Sequence, residues 1–127
     1  MTRYVEPEQA LAVIARLGLT VRDAGLLFSA LARPATSSFG IDAYDSLELK
    51  AAALMSSLAR NHALFDGNKR AAWVITIAFL NINGADLDMT LGDKFDLIVA
   101  TAQGELDLAE IASAIARHVV ADKRPAS

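Results

Sequence analysis

Apolar positions recur along the chain at helical spacing. Leu11, Ile14, Ala15 and Leu17 fall close to one face of a stretch that opens at Pro7 and stops at Gly18, residues suited to a first turn and a C-terminal stop. Val21, Ala24, Leu27, Phe28 and Leu31 predict a second helix, with Thr20 as its cap and Pro34 as its end. Leu47, Ala51, Leu54, Met55 and Leu58 predict a third, capped by Asp45 or Ser46 and running to about Asn61. A fourth runs from about Asn68 to Asn83 and is stopped by Gly84. It is apolar from Ala71 to Ile82 apart from Thr76, so it is expected at the centre of the fold. Thr90 or Asp93 opens a fifth helix through Phe95, Leu97, Ile98 and Ala102. Asp107 to Glu110 reads as a capping box opening a sixth, with Ile111, Ile115 and Val119 turned inward.

One stretch breaks this rhythm. From Pro34 to Ser46 small polar residues surround an isolated Phe39-Gly40-Ile41. It reads either as an exposed loop or short hairpin able to move over a site, or as a plain connector. Strand patterns are otherwise confined to Ala85–Met89. The expected class is all-α: a compact bundle of about six helices with a short β-hairpin, in one domain over residues 1–121, with 122–127 as a frayed tail.

Composition narrows the possible chemistry. The 127 residues are 54% hydrophobic and include no cysteine, so a core can form without staples and thiolate chemistry is excluded. The N-terminus lacks a signal-peptide pattern, and the longest apolar run falls short of the roughly 20 residues that a membrane span needs. A cytoplasmic protein without membrane contact is the expectation. The formal net charge of -3 argues against direct nucleic-acid binding, which usually needs a basic excess.

The fourth helix begins with Lys69 and Arg70, at the end where unpaired N–H groups and the macrodipole already favour anions. Cations there cost a few tenths of a kcal/mol unless an anion reverses the sign. Gly67 allows close backbone approach, and Arg and Lys are phosphate-binding side chains. His62, a titratable base, Asp66, a carboxylate suited to magnesium, and Arg60, a further cation, complete the loop. Together they suggest transfer of a phosphorus-containing group from a nucleotide to a hydroxyl. His62 would be the base, Asp66 the metal ligand, and Asn68, Lys69 and Arg70 the phosphate clamp. Taken singly, each has a plainer reading: a turn with an N-cap, solvated cations, a loop histidine. The EF-hand and P-loop patterns are not met. His118, at the end of the last helix, is given a structural role.

The segment His62–Arg70, "HALFDGNKR", resembles the core pattern of the Fic/Doc family, His-x-Phe-x-Asp/Glu-Gly-Asn-Gly/Lys-Arg. Lys69 stands where the Doc branch has lysine and the adenylylating Fic enzymes have glycine. The flanking helices look Doc-like too, so the resemblance spans nearly the whole chain. It implies a compact α-helical Fic fold with the motif at the start of the central helix, and a flap placing substrate through Ser38, Phe39 and Gly40. It further implies a toxin that moves the γ-phosphate of ATP, with Mg2+, to a threonine of elongation factor Tu, and a Phd-like antitoxin as partner. Residue by residue, His62 is the base, Asp66 the metal carboxylate, and Gly67, Asn68, Lys69 and Arg70 the phosphate holders, with Lys69 and Arg70 also catalytic and Arg60 assisting.

Two departures bear on this. Leu64 replaces the motif phenylalanine, with Phe65 beside it, and Gly67 follows the Fic pattern where some Doc proteins have alanine. Adenylyl transfer to a protein hydroxyl therefore stands as the alternative activity, and a catalytically inactive helical binding module as the alternative class. The inhibitory Ser/Thr-x-x-x-Glu-Gly/Asn signature of some Fic proteins is not met, because Leu106 follows Thr101–Glu105. Inhibition is thus expected from a separate chain.

Overall fold

Short polar side chains start most of the helices in the computed structural model, which describes residues 1–124. Asp23 accepts the Leu26 N–H at 3.0 Å and opens α2 (Ala24–Ala32). Ser46 accepts the Leu49 N–H at 3.1 Å and opens α3 (Leu47–Arg60). Thr90 does the same for α5 (Leu91–Ala102), and a reciprocal Asp107–Glu110 box starts α6 (Leu108–His118). Each such cap contributes about 1 kcal/mol. Before α1 (Pro7–Arg16), Gln9 Oε1 accepts the Glu6 N–H at 2.8 Å. The exception is α4 (Asn68–Ile82), whose N-cap is Gly67 and which no side chain caps.

The second helix therefore starts later than Thr20 predicts. Residues 20–23 are held extended instead, paired with the loop ahead of α4 through a bridge between Val21 and Leu64 and through the Arg22 and Asp23 N–H groups on the Ala63 carbonyl, at 2.8 and 3.0 Å. Tertiary pairing overrides the local capping signal.

The central helix is α3, not α4 as its apolar run predicts. It packs against α2, α4, α5, α6 and a 3₁₀ turn at Arg33–Ala35. Ala51, Ala52, Ala53 and Ala59 are buried in it; small side chains let neighbours approach on several sides. Leu54, Met55 and Leu58 fill the gaps, against Ile75, Phe79 and Leu80 of α4 and Ile111 and Ile115 of α6. Each such residue, buried, contributes about 1.5–3 kcal/mol. The half-buried Trp73 and Val74 of α4 instead border a cleft. Leu11, Ala15, Phe28 and Phe95, which fall on the apolar spacing of their helices, are exposed.

Two antiparallel strand pairs complete the fold. β1 (Ser37–Ser38) and β2 (Ile41–Asp42) form the expected hairpin, with Phe39 and Gly40 both at positive φ in its two-residue turn, the geometry that right-twisting hairpins favour. Lys50 of α3 is buried and fixes the base of this hairpin: its Nζ donates to Asp42 Oδ2 at 3.1 Å and to the Tyr44 carbonyl. β3 (Ala85–Leu87) pairs with β4 (Val119–Ala121). Val119 thus leaves the helix, in which it was expected, for a strand. The Asp122 N–H donates to the Gly84 carbonyl at 3.0 Å, and the expected tail beyond residue 124 lies outside the described residues. No described helix is long and apolar enough to cross a membrane.

Candidate functional site

The loop of residues 61–67 joins the two most closely packed helices and is braced by residues 20–23 and by Asn68. Leu64 is only 3% exposed and pairs with Val21, so it supplies the apolar anchor that the motif requires, in place of phenylalanine. Its neighbour Phe65 points the other way and is 69% exposed, as alternation in an extended segment dictates. Asn68 closes the loop: its Oδ1 accepts the Leu64 N–H and its Nδ2 donates to the Leu64 carbonyl, each at 3.0 Å. The Asn68 side chain is therefore committed to the backbone, and its own N–H is what it can offer a ligand.

Gly67 carries the chain into α4 at φ +76°, a left-handed conformation that favours glycine. A Cβ there would stand 2.5 Å from Leu19 Cδ2. Asp66 is exposed, and its Oδ1 accepts the Gly67 N–H at 2.8 Å. No side chain caps α4 and its first turn has no acidic residue, so beyond Asp66 on the Gly67 N–H the N–H groups opening α4 and the positive end of its dipole have no side-chain acceptor among the described residues. Lys69 and Arg70 add their charges at this point. Both are exposed, and among the described residues neither pairs with a carboxylate.

These groups border one open cleft of about 1150 Å³. His62, Asp66, Gly67, Asn68, Lys69 and Arg70 all line it, so the loop residues singled out in the sequence converge. Beside these polar and cationic groups, Phe65 of the loop, Trp73 of α4 and Leu91, Phe95 and Ile98 of α5 give the cleft apolar lining. Lys94 and Gln103 of α5 line it as well. The chain has five Phe, two Tyr and one Trp, so three aromatics from three elements on one cleft make a marked concentration. Phe65 and Phe95, at 69% and 64% exposed, leave flat apolar faces open to a planar ligand. The lining suits a molecule that carries both negative charges and an aromatic ring.

Other expected residues lie elsewhere. Arg60 does not line the cleft; its guanidinium lies over Gly104, where an added Cβ would come within 2.8 Å of Nη2. Ser38, Phe39 and Gly40 form the hairpin tip, and none of them lines the cleft. His118 Nδ1 lies 2.9 Å from the Ala114 carbonyl, within its own helix.

The α5 wall and Arg22 were not singled out from sequence. Trp73 was within reach: it stands four residues after Lys69 and three after Arg70, on the same helical face. Lys94, Phe95 and Gln103 face α4 only through the packing of α5, and Arg22 only through the pairing of residues 20–23 with the loop. Nothing local marks them.

The Fic/DOC family sequence model matches residues 4–80. Over 126 residues the chain is 48% identical to the protein called Toxin Doc of Mycolicibacterium smegmatis (strain ATCC 700084 / mc(2)155), an alignment spanning 95% of this chain and 97% of that protein.

Proposed function

This chain belongs to the Fic/DOC family, and we propose that it is the toxin of a toxin–antitoxin module, transferring the γ-phosphate of ATP to a protein hydroxyl. The observation that carries this reading is the uncapped start of α4, with Lys69 and Arg70 unpaired beside it among the described residues and His62 and Asp66 in the same cleft. A polyphosphate supplies the missing negative charge.

In this reading the N–H groups opening α4, with Lys69 and Arg70, hold the phosphate chain, and Phe65, Trp73 and Phe95 flank the base. A ring nitrogen of His62 takes the proton of the acceptor hydroxyl. The hydroxyl oxygen bonds to the γ-phosphorus as the bond to the β,γ-bridging oxygen breaks, and ADP leaves. Asp66 fits magnesium: one oxygen is used by Gly67 and the other has no donor among the described residues. Among the described residues no three acidic or histidine side chains cluster to hold a metal, so Asp66 would be the protein's carboxylate for magnesium. When bound, the ion would neutralise phosphate charge.

The acceptor would be a threonine of elongation factor Tu, so translation stops in the cytoplasm, with a Phd-like antitoxin restraining the toxin. Gly67 follows the Fic pattern where some Doc proteins have alanine, and adenylyl transfer is therefore the second reading. ATP labelled at the γ- or the α-phosphate separates the two on the purified factor. Label from the γ-position on the protein supports phosphoryl transfer, and label from the α-position supports adenylyl transfer. With neither, and with growth arrest surviving His62→Ala, the chain is a non-catalytic binding module.

A further inference from the structure

His62 and Phe39 are the two non-glycine residues at positive φ among those described, at +56° and +52°. Phe39 occupies a hairpin turn that requires this conformation. His62 follows Asn61, the C-cap of α3, where a left-handed residue often stops a helix but is usually glycine; the left-handed region costs a non-glycine residue roughly 1–2 kcal/mol. Such a conformation persists only where the surroundings over-determine it.

Its surroundings are the extended residues between α1 and α2. Thr20 accepts the Phe65 N–H at 3.2 Å, Val21 bridges Leu64, and the Arg22 and Asp23 N–H groups both reach the Ala63 carbonyl. At the end of this series the Arg22 guanidinium donates two hydrogen bonds to the carbonyl of His62 itself, from Nε at 2.9 Å and from Nη2. A charged two-donor fork on one carbonyl fixes the direction of that peptide more firmly than a single neutral bond. The peptide direction sets the Cα–Cβ vector of His62, and so the aim of its imidazole into the cleft.

We infer that Arg22 is a positioning residue, holding His62 in its left-handed conformation so that the imidazole faces the reacting hydroxyl. Its value for catalysis rests on the role of His62 proposed above. Arg22 does not line the cleft, so it acts through His62 and not on the substrate.

The test uses the full chain in three forms: wild type, Arg22→Ala and Arg22→Lys. His62 and His118 are the chain's two histidines, so their imidazole proton resonances give a site signal and an internal control. Arg22→Ala should shift or multiply the His62 signals and leave those of His118 unchanged, at a melting temperature near that of wild type. Its kcat for phosphoryl transfer should fall about tenfold to a hundredfold, the scale for a misplaced reacting group, with KM for ATP nearly unchanged. Arg22→Lys, with one point donor, should recover part of both and serves as the folded variant if alanine is not tolerated. Superimposable His62 signals in the folded variants, or an unaltered kcat, overturn the inference. If the signals move but wild type itself transfers no phosphate, the positioning stands and the catalytic reading falls.

Discussion

The carboxamide of Asn68 grips both backbone groups of Leu64, accepting from its N–H and donating to its carbonyl at 3.0 Å each. Leu64 is buried, so water cannot readily replace either bond. Asn68→Ala should cost about 1–3 kcal/mol, the range for stranded buried polar groups. Asn68→Asp keeps an acceptor for the N–H and loses the donor, so it should fall between. Urea unfolding of the ligand-free protein measures both; equal stability of all three forms would contradict the structural role.

Lys69 and Arg70 should behave in the opposite way. They are exposed and unpaired among the described residues, at the positive end of a dipole. Lys69→Ala and Arg70→Ala are expected to leave the empty protein equally stable, or to raise its stability by a few tenths of a kcal/mol. The upward shift in melting temperature on adding ATP and magnesium should shrink in both. A large drop in the ligand-free melt would show that these side chains hold the fold together instead.

Gly67→Ala tests the entry to α4. The nearest atoms to the new methyl all belong to the Leu19 side chain, its two methyls and Cγ, which can shift, so backbone strain at φ +76° should dominate, at about 1–2 kcal/mol. Adding Leu19→Ala should then recover little of the loss. Full recovery in the double variant would assign the cost to crowding instead.

Lys50 offers a test of the hairpin. Replacing a buried, paired charge by an apolar side chain of similar shape is often neutral for stability, yet Lys50→Met removes the bonds to Asp42 and Tyr44. The melt should change little, while amide exchange and limited proteolysis at residues 37–43 accelerate. Unchanged protection of those residues would mean that the hairpin is held by other contacts.

The helices were legible because their signals are local. The Ser46 and Thr90 caps, the Asp107–Glu110 box and the Gly84 stop all act within a few residues of chain. The loop of residues 62–70 stood out for the same reason: two cations at a helix start break a local rule. What escaped depends on partners distant in sequence. Val119 and Val120 leave α6 because Leu87 and Asp86 await them, although a β-branched pair after a helix was a readable hint. Asp23 displaces Thr20 as a cap because residues 20–22 are engaged with the loop. The enclosure of α3 follows from its run of alanines, whose small size a hydropathy pattern undervalues. The commitment of the Asn68 carboxamide to Leu64 is visible only in three dimensions.

The bare glycine at the head of α4 has a practical consequence. Among the described residues five helices begin with help from side chains at their own starts, and this one is left for something else to finish. A missing cap supplied from outside makes heat resistance a gauge of fit: inorganic phosphate, pyrophosphate and triphosphate should lift the unfolding temperature in rising order, even with no acceptor protein in the tube. The empty molecule can thus rank its own ligands before its target is in hand.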